Sequence, residues 1–312
     1  MEQFTCTVDC VIEVNELTKR YGGTTAVKNL TFTVRPGQVT GFLGPNGAGK
    51  STTLRMILGL QEPTGGTVTV DGRPFHDRSR GLRHIGALLD AHDVHGGRSA
   101  AAHLSALARS NRIPRRRVGE VLREVGLAQV AGRRTGGFSL GMKQRLGIAS
   151  ALLGEPPVLL FDEPLNGLDP EGVKWVRDLL GRLAVEGRTV LVSSHLMSEM
   201  EHTADQLIVI GRGELIAAES LVQFAARGAR QSVTVSTPAA PLLTDLLTAE
   251  GAVVRTEGER LTVNGLAAPR IGEIALEHHI LLHHLSTGTP SLEEAFMELT
   301  AQSVQYSTGK PR

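Results

Sequence analysis

Gly44-Pro45-Asn46-Gly47-Ala48-Gly49-Lys50-Ser51-Thr52 follows the apolar run 39–43 and leads into Leu54, Ile57 and Leu58 at helical spacing. A strand, a glycine loop and a helix in that order make a phosphate-binding unit. Gly44, Gly47 and Gly49 let the backbone fold round an anion with its N–H groups turned inward, and the helix N-terminus adds partial positive charge. Lys50 supplies a full charge for the β- and γ-phosphates of a nucleotide. The Ser51 hydroxyl is the candidate for the Mg²⁺ shell, with Thr52 second to it.

The chain has 312 residues and a formal net charge of +1, enough for one large domain and a small one, and a balance that favours neither a disordered tail protein nor a polyanion binder. Arg112, Arg115, Arg116 and Arg117 form one basic run, which reads as a solvated helix face, so no nucleic-acid partner is expected. The two cysteines, Cys6 and Cys10, lie in a short N-terminal extension and read as free thiols of a reducing compartment. Spanning a bilayer takes about 20 apolar residues, and runs such as 156–161 are far shorter. Glu2 and Asp9, without an apolar block, do not read as a signal peptide.

Along the chain, residues 11–17 and 26–34 read as strands around a Gly22-Gly23 turn, with Tyr21 at that turn. Residues 67–75 alternate around Asp71-Gly72 as a hairpin. Residues 99–130 are a helical insert. Continuous apolar runs at 158–161, 189–193 and 206–210 read as buried parallel strands, with helices at 173–184 and 196–202 between them. The fold class is therefore α/β with a parallel sheet and a flanking antiparallel sheet. After about residue 218 the texture becomes that of a small α+β unit: strands at 231–236, 252–256 and 260–263, helices at 239–250 and 271–278. A last helix opens with Ser291 and Glu294 in capping-box spacing and places Leu292, Ala295, Phe296 and Leu299 on one face.

Asp162 and Glu163 follow the run 158–161, at the carboxyl end of a buried strand where open α/β sheets bind ligands. Asp162 is placed to orient Mg²⁺ and Glu163 to polarise a water for in-line attack on a γ-phosphate. His195 lies just past another strand and is a candidate sensor of that phosphate. Ser139 is the cap of a helix running through Leu146, Ala149, Ser150 and Leu153, a second anion site without a loop of its own. His278, His279, His283 and His284 lack a companion carboxylate or cysteine cluster and are not read as a metal site; His92 and His95 read as surface histidines.

A phosphate loop, Phe138-Ser139-Leu140-Gly141, Asp162-Glu163-Pro164, Asn166-Gly167-Leu168-Asp169 and His195, in this order, resemble the ATP-binding subunit of an ABC transporter over roughly residues 11–218. The resemblance implies a phosphate-loop NTPase core with an antiparallel β subdomain and a helical subdomain at about 91–153, an N-terminal extension at 1–10, and a C-terminal accessory domain at 219–312. It also implies ATP and Mg²⁺ as ligands. By this resemblance Tyr21, which as an aromatic at a loop tip reads equally as packing, would stack on adenine, residues 44–52 would hold the phosphates, Ser51 and Asp162 would serve the metal, Glu163 would be the catalytic base, and His195 would be the switch. The resemblance likewise implies that Ser139 and Gly141 would reach the γ-phosphate held by a second copy, and that Asp169 would sit at the seam of that dimer.

Three departures from the family pattern stand out. The helix start loses one glycine and its glutamine. Asp90 replaces the glutamine expected after the strand at 85–89, so it is a candidate metal or partner contact with a changed reach. Asn166-Gly167 replaces Ser-Ala before the kept Asp169. With the tail 290–296, these features resemble the branch that exports drugs, peptide antibiotics or polysaccharide, similar to bacitracin and daunorubicin exporters. The implied machine is a homodimer, or a pair with a similar subunit, on the cytoplasmic face of a bacterial membrane and docked on separate membrane-spanning permease subunits. Its rivals are a soluble ABC-type ATPase acting on ribosome or DNA, and a phosphate-loop kinase or GTPase. Ribosomal members carry two motif sets and DNA-repair members long coiled-coil inserts, and a guanine-reading Asn-Lys-x-Asp is absent.

Overall fold

The computed structural model describes residues 11–228, 232–288 and 292–300. The chain falls into two compact units, divided between Leu221 and Val222, with Thr300 grouped with the first. The first unit runs β1 (Ile12–Tyr21), β2 (Thr24–Val34), β3 (Val39–Leu43), α1 (Lys50–Ile57), β4 (Gly65–Val70), β5 (Ile85–Leu88), α2 (Ala100–Ser110), α3 (Arg116–Glu124), α4 (Leu140–Leu152), β6 (Val158–Asp162), α5 (Pro170–Val185), β7 (Thr189–Ser194), α6 (Met197–Met200), β8 (Gln206–Gly211) and β9 (Glu214–Ser220). The rest runs α7 (Leu221–Gly228), β10 (Ser232–Ser236), α8 (Ala240–Ala249), β11 (Val253–Glu257), β12 (Arg260–Asn264), α9 (Ala268–Glu277), β13 (His284–Gly288) and α10 (Leu292–Thr300).

The central sheet has the order β5-β6-β7-β3-β8-β9. Its first five strands are parallel and β9 returns antiparallel to β8. β3 and β7 are buried at every position, as expected of apolar runs covered on both faces. A second sheet, β2-β1-β4, is antiparallel. Ile12, Val14, Leu30 and Val34 from it share one core with Phe42, Leu54, Met56 and Ile208 of the central layer and α1, and the rings of Phe32 and Phe42 lie 5.6 Å apart. The phosphate loop is thus anchored between two sheets.

The expected hairpin at 67–75 does not form. Asp71 and Gly72 do turn, both at positive φ (54° and 68°), but the returning arm makes a single bridge, Val70 to Arg73. Pro74 has no N–H for a ladder, residues 75–77 wind into a 3₁₀ turn, and β4 pairs with β1 instead. The helix read at 196–202 shortens to Met197–Met200.

In the second unit the order β10-α8-β11-β12-α9-β13 folds into an antiparallel sheet β11-β12-β10-β13. Val233 and Val235 alternate on β10, Leu261 and Val263 on β12, and all four pack with Leu243 and Leu247 of α8 and Ile271 and Ile274 of α9. β13, like β9, was not legible in the residue pattern. α10 buries Phe296 while Leu299 is exposed; Ser291 of the expected capping box lies outside the described residues. Among the described residues no group of three or more His, Cys, Asp or Glu side chains is placed to hold a metal, and no helix is long and apolar enough to cross a membrane.

Candidate active site

β3 ends at Leu43 in the middle of the central sheet, and the chain turns at once into the phosphate loop. Gly44 has no room for a side chain: a Cβ there would stand 2.5 Å from the Ile210 carbonyl oxygen. Gly49 sits at φ 103° and its Cβ would meet the Ala26 carbonyl oxygen at 2.6 Å. It is also the N-cap of α1, with no side chain to occupy the first-turn amides and no acidic residue beside them, which leaves those N–H groups for an anion. Lys50, the first residue of α1, is 6% exposed. Its ammonium folds back and donates to the carbonyls of Gly44 (2.6 Å) and Pro45 (3.4 Å). Burial pushes its pKa down, against the pull of the Glu163 and Asp162 charges. Ser51 is exposed in the first turn and Thr52 half-buried.

Two strands away, parallel register sets Asp162 of β6 beside Ser193 of β7, and Ser194 beside Leu43 of β3. The strand ends carrying Asp162, His195 and the loop therefore lie level. The Ser193 hydroxyl donates to Asp162 Oδ1 and accepts the Glu163 N–H at 3.0 Å. Glu163 has a left-handed backbone, φ 49°, a conformation that costs of order 1 kcal/mol for a residue with a Cβ. Its peptide is pinned on both sides. The Ser193 carbonyl lies 3.2 Å from its N–H, and its own carbonyl accepts from the Asn166 N–H (3.3 Å) and from Gln144 Nε2 (3.0 Å).

Held this way, the Glu163 carboxylate meets three groups. Oε1 lies 3.8 Å from Lys50 Nζ. Oε2 lies 3.0 Å from His195 Nδ1 and accepts from the Asn166 amide. A carboxylate only accepts, so His195 Nδ1 carries a proton and Nε2 is left for another partner. The structure thus brings Lys50, Asp162, Glu163 and His195 together. Ser193, Gln144 and Asn166, which hold that arrangement, carry no motif that assigns them the task; only strand register and the approach of α4 reveal it.

Ser139 caps α4, its hydroxyl accepting the Met142 N–H at 3.2 Å. The start of α4 abuts the 166–169 turn of the same chain: a Cβ on Gly167 would lie 2.2 Å from Leu140 Cδ2, and one on Gly141 would lie 3.6 Å from the Gly167 carbonyl oxygen. Asp169 caps α5 by accepting the Gly172 N–H at 2.8 Å. Tyr21, the last residue of β1, is 46% exposed; its hydroxyl donates to Gln61 Oε1 at 2.6 Å and Lys19 Nζ stands 5.2 Å from its ring centre.

Asp90 follows β5 and turns back on its own loop, accepting from the His92 N–H (2.7 Å), with His92 Nδ1 at 3.0 Å. The backbone bond from His92 is the main reason its carboxyl stays below the usual range. Among the described residues no hydrogen bond or ion pair joins it to Lys50, Asp162 or Glu163.

Residues 27–166 match the family described as ABC transporter, and residues 231–293 one described as a domain of unknown function (DUF8746). The chain is 36% identical over 306 residues to the Bacillus subtilis (strain 168) protein named "Uncharacterized ABC transporter ATP-binding protein YhcH", covering 94% of this chain and 97% of that one. It is 43% identical over 209 residues to the bacitracin transport ATP-binding protein BcrA of Bacillus licheniformis, covering 66% and 68%. A solved structure of an ATP-binding subunit of an ABC transporter superposes with a TM-score of 0.64 at 28% identity, covering 70% of this chain and 92% of the other. The dimeric bacterial ABC transporter cassette MJ0796 gives 0.63 at 28%, covering 67% and 98%. With its phosphate loop, paired strand-end carboxylates and capped serine helix, the chain belongs to the ATP-binding proteins of ABC transporters.

Proposed function

We propose that this chain binds ATP at residues 44–52 and hydrolyses it to drive a separate membrane-spanning permease that exports a drug, antibiotic or similar compound. The observation that carries the catalytic part is the Glu163 carboxylate, set between Lys50 and His195. The export reading is supported by relatives named for bacitracin transport, 43% identical, and lantibiotic transport, 36% identical. In this reading residues 11–218 are the ATPase and 219–312 an accessory domain.

When ATP enters, the Lys50 ammonium exchanges the Gly44 and Pro45 carbonyls for phosphate oxygens, a stronger charge-assisted pairing. The loop amides and the α1 N-terminus take the remaining oxygens. The exposed Ser51 hydroxyl and the Asp162 carboxylate are hard oxygen donors of the kind Mg²⁺ selects, with Asp90 the further candidate; the ion, when bound, neutralises charge on the phosphates. Glu163 accepts the proton of the attacking water, and His195 fixes its carboxylate and presents Nε2 to the γ-phosphate. Tyr21 offers its ring to adenine. Ser139 and Gly141 meet the γ-phosphate of a second copy, with Asp169 at the dimer seam. Moving such a closure from mostly open to mostly closed takes about 5.5 kcal/mol of differential binding, shared between two ATP molecules gripped across the seam.

The test is purification of the tagged chain from gently solubilised bacterial membranes with ATP present. Recovery of a polytopic membrane protein is expected and supports the transporter reading. Recovery of ribosomal or DNA-bound partners alone, with the chain absent from the membrane fraction, overturns the export reading in favour of a soluble ATPase.

A further inference from the structure

The basic run in the helical subdomain divides in two when folded. Arg117 is half-buried and paired with three carboxylates, Glu120 (3.4 Å), Glu124 (3.6 Å) and Glu155 (3.7 Å). Its neighbours differ. Arg109 at the end of α2 and Arg112 and Arg115 in the linker to α3 line one cleft of about 470 Å³, with Ser105, Ile113 and Pro114 as its other walls. All three arginines are exposed. Among the described residues none of them, nor Arg116, makes an ion pair. Arg83 adds a fifth guanidinium nearby, bound to the Asn111 and Arg112 carbonyls at 3.2 and 2.7 Å.

The placement opposes the ordinary rule for helices. α3 has Arg115 as its N-cap and Arg116 and Arg117 as its first two residues, with no acidic residue in the first turn and no side-chain cap. The N-terminus of a helix is its positive end and favours anions. Cations heaped there repel both the dipole and one another, and Arg117 alone has carboxylates to offset this. An anion in the cleft would relieve the repulsion, beside three exposed arginines that make no ion pair among the described residues. The cleft is open, and its exposed Pro114 and buried Ile113 place apolar surface beside the charges.

The geometry points to a binding site for a phosphate-bearing anion, the headgroup of an anionic phospholipid. This inference rests on the reading that the chain works at a membrane. Clusters of four to eight basic residues on an amphipathic surface suit such lipids, and the five arginines here form one on a chain whose net charge is only +1. A single-stranded nucleic acid is the poorer fit, because it is gripped by aromatic stacking and no aromatic side chain lines this cleft.

The test is co-sedimentation of the full chain with protein-free vesicles of phosphatidylglycerol or of phosphatidylcholine. Three proteins are compared: the wild type; Arg109→Ala/Arg112→Ala/Arg115→Ala; and a control with the same loss of charge from exposed positions elsewhere, Arg73→Ala/Lys174→Ala/Arg182→Ala. Wild type and control are expected to bind phosphatidylglycerol and not phosphatidylcholine, with binding weakened by salt. The cleft variant is expected to bind roughly a hundredfold more weakly while keeping ATP hydrolysis, which shows that it folds.

Equal binding by the two triple variants, or no preference for the anionic lipid, overturns the proposal. So does cleft-dependent binding of inorganic tripolyphosphate, with ADP filling the phosphate loop, or of a DNA or RNA oligomer, when vesicles are not bound. Because the vesicles contain no permease, loss of this signal in a chain that still co-purifies with a membrane subunit removes the lipid site and leaves the transporter reading intact.

Discussion

His195 Nδ1 lies 3.0 Å from Glu163 Oε2, with the two side chains 31% and 25% exposed. They are 32 residues apart in sequence, and the parallel pairing of β6 with β7 brings them together. The partial exposure matters as much as the distance. A base must reach water and still be held in one orientation.

Glu163→Gln keeps the shape of this carboxylate and removes its basicity. Hydrolysis is expected to fall by about 10²- to 10⁴-fold with ATP binding retained, leaving an ATP-trapped dimer on gel filtration. Phosphate release at the wild-type rate would remove Glu163 from the role of base.

Lys50 has a pKa lowered by burial. Between that lowered value and the ordinary lysine value the unfolded chain binds the extra proton, so this residue makes stability rise with pH across that window. The same deprotonation weakens its grip on phosphate, so ATP affinity falls over the same window. Lys50→Ala is expected to weaken ATP binding by roughly ten- to a hundredfold at neutral pH and to remove both slopes. Calorimetric titration and melting, each across alkaline pH, check this against the wild type.

Ser193→Ala removes the hydroxyl shared by Asp162 and the Glu163 N–H. Leaving these groups short of a partner costs about 1–3 kcal/mol of stability. If the hydroxyl positions the base, kcat falls while ATP affinity holds. Loss of stability with kcat unchanged would assign Ser193 to strand packing alone.

Asp169 is the cap of α5, so Asp169→Ala is expected to cost about 1 kcal/mol, whereas Asp169→Asn keeps the cap. The pair separates fold from assembly. Normal melting of Asp169→Asn with weakened ATP-driven dimerisation would place its charge at the seam; normal dimerisation would confine Asp169 to capping.

Much of the architecture was legible because its signals are local. The runs at 158–161 and 189–193 announced buried strands by continuous apolar residues, and these are β6 and β7. The hairpin at 67–75 misled, because the Asp71-Gly72 turn is real while Pro74 denies the second arm its ladder. β9 and β13 escaped notice: half-exposed edge strands such as β9 carry neither a continuous run nor a clean alternation.

The sequence by itself determined the phosphate loop, the two strand-end carboxylates and the serine that starts α4, since each depends on residue type and spacing within a few positions. Only the tertiary structure decided which groups hold Glu163. Ser193, Gln144 and Lys50 come from a neighbouring strand, the packed helix α4 and the first turn of α1, and what joins them is sheet register and packing between elements, which no local pattern encodes. It likewise separated Arg117, neutralised by carboxylates that include the distant Glu155, from the arginines beside it that line an open cleft. Charge in a sequence is a count, and its partners are assigned when the chain folds.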